Sequence, residues 1–367
     1  MEKKWIIIPI IVILIVSIIL IIYFIKNNSF NQSPTNLEEC KTISYNGENK
    51  INIVFFSSKE NAEKYSNYFL TLNPFSENKD AFNFYYIDNY IPECETYKGI
   101  AILCYNEELI KKASSCPNDY IVIIKDSDFN MRSSSYMNVM SINSNHPLSV
   151  FPHEFGHAFM TLAEEYTPAT IPRGAKNCQK SCEKFSINDG CYQGCSQDSY
   201  MRSIDNGIMR TLNSQDYGKF NAQLILDKIK KNSITTGNAI ASETQCRDQK
   251  NYLIKGNYSQ GQISILGKSI EPGCPGTTDN NGEIQYKLTT EDNTILATEN
   301  FNPELIFTDA QSSDQQQIQG QPFERDGTFF LKLQIIPQAK NLEILKENEQ
   351  LTQINLEDMK YRPCQIK

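Results

Sequence analysis

The chain has 367 residues, room for about two domains. Its formal net charge is −8 and no long basic run occurs, which argues against nucleic acid as a partner. Eleven cysteines, all downstream of residue 26, fit an exported protein better than a mesophilic cytosolic one, and the odd number leaves at least one thiol free or paired with another molecule.

Trp5 to Ile25 is an almost unbroken apolar run of Ile, Leu and Val. At about 1.5 Å per residue, a helix of that length spans roughly 30 Å, the thickness of a bilayer core. Lys3 and Lys4 precede the run, so the N-terminus should stay in the cytoplasm. A cleaved signal peptide has a shorter apolar core, about 7–15 residues, and a small-residue cleavage site. Tyr23-Phe24-Ile25-Lys26-Asn27-Asn28 is no such site. Residues 1–26 are therefore expected to be an uncleaved, single-pass transmembrane anchor in the cell membrane, with the rest of the chain facing outward. Residues 27–39 are polar and turn-rich and read as a stalk.

Residues 40–246 read as one α/β domain. Residues 50–56 form a short apolar run of strand length, and 58–72 carry Ala62, Tyr65, Tyr68 and Phe69 at helical spacing. A second strand is expected over 82–87, a helix over 107–114, and a strand buried on both faces over 120–124. Residues 134–142 read as an edge strand. Strands alternating with helices imply a mixed α/β sheet.

The next segment is His153-Glu154-Phe155-Gly156-His157. Two histidines four apart on a helix differ by about 40° and 6 Å, so both imidazoles face one side. One zinc ion can bridge them at roughly 2.0–2.1 Å from each nitrogen. In such a motif the intervening glutamate, Glu154, takes a proton from the metal-bound water. Gly156 leaves the helix surface open beside His157. A five-residue match can arise by chance. Here, however, two of only three histidines lie in it, and the flanking residues Phe151, Phe155, Ala158, Phe159, Met160 and Leu162 are apolar. Ionisable groups on so apolar a helix need partners to offset their desolvation. The third histidine, His146, precedes Pro147 and reads as a loop residue.

Between this helix and Met209 lies a Cys-rich insert, 178–195, with cysteines at 178, 182, 191 and 195. Structural zinc sites favour tighter pairs, so disulfides are the expected reading. The preferred pairing of the three possible is Cys178–Cys195 with Cys182–Cys191, stapling a helical hairpin. The remaining seven cysteines, Cys364 included, have no readable pairing. Beyond 246 helical periodicity fades. Short strands are expected over 262–266, 283–290, 304–308, 328–336, 342–346 and 351–354, separated by turn signals. Residues 247–367 thus read as an all-β sandwich domain, immunoglobulin-like in size, with the Gln-rich stretch 311–321 as a solvated loop inside it.

HEFGHAFMTLAEEY, residues 153–166, resembles the H-E-F-G-H-S-F-x-G-L-A-D-E-Y signature of the immunoglobulin A peptidase family, a group of metzincin-like zinc metallopeptidases. Asn73-Pro74-Phe75 through Phe82-Asn83-Phe84-Tyr85 is similar to that family's lead-in, and Asn206-Gly207-Ile208-Met209-Arg210 to its I-M-R segment. The likeness covers about residues 50–230. It implies a metzincin-like zincin fold, His153 and His157 as zinc ligands, Glu154 as general base, and Met209 as the Met-turn beneath the metal.

The third ligand stays open. Metzincins usually break the zinc helix at a glycine three residues after the second histidine, and this chain has Met160 there. On an unbroken helix Glu164 would lie roughly 10 Å along the axis from His157, too far to share a metal. The helix must bend or end near 160–163. Glu164 and Glu165 are then equal candidates. Tyr166 could orient a carboxylate or simply pack; Tyr217 could serve an oxyanion but has no assigned role.

These features imply a membrane-anchored, extracytoplasmic zinc endopeptidase acting on a protein or peptide. Two other readings are a zinc hydrolase of a non-protein amide or ester, and a non-enzymatic surface binding module on a protease-like scaffold. No feature of the sequence sets an oligomeric state.

Overall fold

The computed structural model describes residues 37–185, 190–235, 246–276, 282–311, 318–320 and 322–359. The expected anchor, residues 27–36 of the stalk and Cys364 lie outside them. Among the described residues no helix is long and apolar enough to cross a membrane.

Strand β1 (Lys41–Ser44) leads to the apolar β2 (Ile51–Phe56). Ser58 then caps helix α1 (Lys59–Phe69), its side chain accepting from the Asn61 N–H, and Ala62, Tyr65 and Phe69 bury one face. β3 (Phe82–Ile87), the hairpin β4 (Glu95–Tyr97) and β5 (Ala101–Leu103), and the Asn106-capped helix α2 (Glu107–Ala113) follow. Then come β6 (Tyr120–Lys125), β7 (Ser133–Tyr136), β8 (Val139–Asn143) and helix α3 (Val150–Met160), which carries the two-histidine motif. A hairpin of β9 (Tyr192–Cys195) and β10 (Gln197–Arg202) and helix α4 (Lys219–Thr235) complete the helical half.

The rest is strand: β11 (Lys250–Ser259), β12 (Gln262–Pro272), β13 (Ile284–Thr289), β14 (Ile295–Phe301), β15 (Leu305–Gln311), β16 (Ile318–Gly320), β17 (Phe323–Glu324), β18 (Gly327–Gln334), β19 (Asn341–Lys346) and β20 (Glu349–Asn355).

The fold is mixed α/β. A nine-stranded sheet runs β1-β3-β2-β6-β8-β7-β15-β16, with β17 also on β15. β3, β2, β6 and β8 are parallel; β1, β7 and β15 are antiparallel to their neighbours. Both faces of its centre are buried, which is why its strands read as continuous apolar runs. Ile53, Phe55, Tyr120 and Val122 point to the side of α1 and α3. Val54, Phe56, Ile121 and Ile123 point to the other side, against α2 and the C-terminal strands.

An aromatic cluster seats α3. Phe69 stacks on Phe75 at 3.9 Å between centroids, and Phe155 meets them edge-on at 5.0 and 5.7 Å. Rings in such offset and edge arrangements add to the stabilisation from area burial alone. All eleven residues of α3 are buried, its histidines and glutamate included.

Several expectations need correction. Residues 134–142 are not an edge strand: β7 and β8 are two strands of a hairpin, and β15 covers β7. The serines of β7 made it read as a solvated edge, but all four of its residues are buried. The stalk ends earlier than residue 39, because Glu38 pairs with Lys112 at 2.5 Å and its N–H donates to Ser115 Oγ. Of the strands expected in the C-terminal sandwich, 304–308 goes elsewhere. As β15 it joins the large sheet, drawing β16 and β17 with it. The other C-terminal strands form a three-stranded sheet, β12-β11-β18, and a four-stranded sheet, β14-β13-β19-β20. The two meet in one core, with Phe301 and Phe329 rings 5.4 Å apart.

Among the described residues five disulfides form: Cys40–Cys116, Cys94–Cys104, Cys178–Cys195, Cys182–Cys191 and Cys246–Cys274. The nested pairing preferred from spacing is the one observed. The helical hairpin is not: Cys182–Lys184 is a single 3-10 turn, and Cys195 closes a strand.

Candidate metal centre

Helix α3 ends at Met160 because Thr161 adopts a left-handed conformation, φ 53° and ψ 36°. That conformation is unusual for a β-branched residue. It serves where a glycine would be expected. The turn is held by Thr161 N–H to the His157 carbonyl at 2.9 Å and by Leu162 N–H to the Gly156 carbonyl at 3.3 Å. The residues after it, Leu162 to Glu164, belong to no helix or strand.

The two adjacent glutamates diverge there. Glu164 turns back to the histidines, its Oε1 lying 3.0 Å from His157 Nε2 and its Oε2 3.6 Å from His153 Nε2. Glu165 turns away and accepts from Asn221 Nδ2 at 2.7 Å and Asn177 Nδ2 at 3.2 Å. Burial pushes its carboxyl up to about 7, against those hydrogen bonds. Asn177 also clasps the backbone of Ala163, accepting from its N–H and donating to its carbonyl, each at 2.8 Å. Ser196 Oγ donates to the Glu164 carbonyl at 2.7 Å, and the bridged sulfurs of Cys178 and Cys195 lie 3.7 and 4.0 Å from that oxygen. The Cys-rich insert thus braces the segment that presents Glu164.

A fourth group comes from β15. Asp309 Oδ2 lies 3.4 Å from His153 Nε2 and 3.5 Å from His157 Nε2, and the two Nε2 atoms are 3.1 Å apart. Tyr166 donates its hydroxyl to Asp309 Oδ1 at 2.9 Å. His153, His157, Glu164 and Asp309 each offer one atom within 4.8 Å of the others, and all four are buried. Donors about 2.0–2.1 Å from one tetrahedral ion sit roughly 3.3–3.4 Å from each other. The spacings here bracket that value.

The donors also carry the electrostatics of a cation site. His153 Nδ1 lies 2.9 Å from the Ile208 carbonyl, and His157 Nδ1 2.7 Å from the Leu162 carbonyl. A carbonyl only accepts, so Nδ1 carries the proton on each ring and the Nε2 lone pairs face inward. Both Glu164 oxygens and Asp309 Oδ2 are buried without a hydrogen-bond donor among the described residues. Lone pairs and carboxylate oxygens packed this closely repel each other unless positive charge sits between them. Burial disfavours a charged His157, but Glu164 and Asp309 outweigh it and raise its pKa well above the usual imidazole range. The group therefore fits a metal ion.

Around it, Glu154 is fully buried, and neither of its oxygens has a hydrogen-bond partner among the described residues. Burial raises its pKa well above the carboxylate range, helped by Asp309 and opposed by His157. Met209 lies under the helix. A Cβ on Gly156 would come within 2.8 Å of Met209 Sδ, so a larger residue there would force Met209 to shift. The turn there is tight, with Arg210 N–H bonding the Gly207 carbonyl at 2.9 Å and Glu165 N–H bonding the Met209 carbonyl at 2.9 Å. Phe307 of β15 stacks on His157, centroids 4.1 Å apart and planes 12° from parallel.

His146 stays outside the group, with Nε2 2.9 Å from the Phe129 carbonyl and Nδ1 3.3 Å from Ser133 Oγ. Tyr217 gives its hydroxyl to the Pro152 carbonyl, seating α3. Sequence reasoning missed Asp309. Its only local sign was an aspartate closing the run Ile306-Phe307-Thr308, which marks nothing on its own.

No family model matches the chain, and no curated protein matches it.

Proposed function

We propose that the chain is a membrane-anchored, outward-facing zinc endopeptidase that cleaves an extended stretch of protein or peptide. One observation carries this reading. Glu154, a buried acid with no hydrogen-bond partner among the described residues, shares a buried helix with two histidines whose inward nitrogens converge with Glu164. Two imidazoles and carboxylate oxygen are a donor set zinc accepts; iron and manganese accept it too, but hydrolysis needs no redox chemistry. His153, His157 and Glu164 would hold the ion, with Nδ1 of each ring anchored by a backbone carbonyl. When bound, the metal would supply Lewis acidity, polarising the scissile carbonyl and acidifying a water. Glu154 would take the proton of that water as the new C–O bond forms, then give it to the amine as the C–N bond breaks.

The resemblance to the immunoglobulin A peptidase family belongs to this proposal. The Met209 turn under Gly156, and Phe75 behind the helix, support it. Five disulfides support an oxidising, extracytoplasmic setting, in keeping with the expected anchor.

A second reading has its own observation. Asp309 adds a fourth buried donor, and a zinc with four protein ligands would be typical of a structural site. The chain would then be a binding scaffold. Full-length protein in detergent separates the two when assayed as wild type and as Asp309→Asn. The peptidase reading expects one equivalent of zinc and chelator-sensitive cleavage of an unfolded protein, lost in Glu154→Gln. Cleavage that survives Glu154→Gln, or none in either form, counts against it.

A further inference from the structure

Strand β15 pairs with β7 in the large sheet and reaches the metal centre through Asp309. Without it β7 would be the edge of the large sheet, with unpaired backbone groups beside the metal centre, a template for strand addition. β15 fills that edge antiparallel, pairing Ile306 with Tyr136, Phe307 with Ser135, Thr308 with Ser134 and Asp309 with Ser133. Its side chains close the centre as well. Phe307 covers one imidazole, and Asp309 supplies the fourth donor. The space left between Phe307, Ser135 and Thr161 is about 10 Å³. That is room for one water at most and for no substrate side chain.

The connectivity makes β15 separable. It lies in sequence between β14 and β18, which are ladder strands of two other sheets, on β13 and β11 respectively. Those ladders do not use β15, so together with β16 and β17, which pair with it, β15 can leave β7 without breaking them, at the cost of exposing Ile306.

Resting on the peptidase reading, we propose that β15 is a built-in inhibitor: a strand of the chain's own that occupies the substrate groove on β7 and plugs the metal's open position with Asp309. The partner that displaces it is an extended polypeptide able to pair with β7. Latency is then a property of the folded chain itself.

The test uses full-length protein in detergent, loaded with cobalt(II), whose visible spectrum reports its ligands. The probe is acetohydroxamate, a small metal chelator. Asp309→Asn keeps the side chain's size and an acceptor for Tyr166; Asp309→Ala is the second variant. Wild type should show little spectral response. Both variants should retain one equivalent of cobalt and bind the probe about tenfold or more tightly, with zinc-loaded cleavage rising in parallel. Equal probe binding by wild type and variants overturns the proposal. So does loss of the metal from both variants, since Asp309 would then be a structural ligand. A site that opens to the probe without any cleavage upholds the plug and defeats the peptidase reading. A wild type that binds no metal defeats both.

Discussion

Tyr166 and Asp309 are 143 residues apart in sequence, yet the tyrosine hydroxyl donates to the aspartate carboxylate at 2.9 Å in a fully buried setting. This bond ties the segment that follows the histidine helix to a strand from the far end of the chain. Tyr166→Phe removes the donor and leaves a buried carboxylate oxygen short of a partner. It should cost about 1–3 kcal/mol of stability. Hydrogen exchange should quicken first at the amides of β15, ahead of those of β2 and β6. Unchanged denaturant midpoints and unchanged exchange at β15 would show that the bond does not hold the strand.

Metal should stabilise the fold directly. The inward lone pairs and partnerless carboxylate oxygens repel one another without a cation, so the ion binds the folded chain and not the unfolded one. A hundredfold excess of zinc over Kd should raise stability by about 2.7 kcal/mol. Calorimetry of chelated and zinc-loaded protein checks this. The difference should vanish in His153→Ala. Equal melting of chelated and loaded wild type would mean that the group binds no metal.

How much of this was open to sequence reasoning depended on distance along the chain. The pairing of His153 with His157 was legible because helical geometry alone sets it. The choice of Glu164 over Glu165 was not, because it hangs on Thr161 turning left-handed and on Asn177 clasping Ala163, neither of which has a periodicity. Asp309 was further out of reach. Its place depends on β15 leaving its neighbours to pair with β7, and an alternating strand fits a sandwich or a mixed sheet equally well. The strands β2, β3 and β6 were legible for the opposite reason: burial on both faces leaves a plain apolar run. β11 and β14 were not among the strands expected.

Gly156 gives a sharper test of the Met209 turn. Alanine is favoured over glycine inside a helix by about 1 kcal/mol. Here its Cβ would stand 2.8 Å from Met209 Sδ and 3.3 Å from Leu162 Cδ1. Gly156→Ala should therefore destabilise, by about 1–3 kcal/mol. Combining it with Met209→Ala should recover part of the loss, with a coupling above about 0.5 kcal/mol in the double-mutant cycle. Strict additivity would place Met209 away from the helix.

Lys332 predicts a pH dependence far from the metal. It is buried, donates to Asn118 Oδ1 at 2.7 Å, and burial lowers its pKa from 10.5 to about 7, with Asp119 opposing. Between those values the unfolded chain carries a proton that the folded chain does not, so stability should rise with pH. From about pH 8 to about pH 9.5 the share from Lys332 should be about 2 kcal/mol, read as the difference between wild type and Lys332→Met, because buried tyrosines raised above 10 work the other way in both. Asp119 and Glu165, raised to about 6 and about 7, are largely ionised by then and add little. Lys332→Met should flatten the slope, whatever it does to the absolute stability. Urea midpoints across that range read the slope, and a variant as steep as wild type would assign it to another group.

The route of β15 also bears on how the chain can be cut. A fragment ending near residue 246 would keep His153, His157 and Glu164, which a sequence motif would count as a complete catalytic domain. It would also bare the full length of β7 and the apolar sheet face that Tyr252, Ile254 and Phe330 help cover. Such an edge recruits strands from other copies. A truncated domain made for convenience would thus be prone to aggregate, and its failure would say nothing about its chemistry.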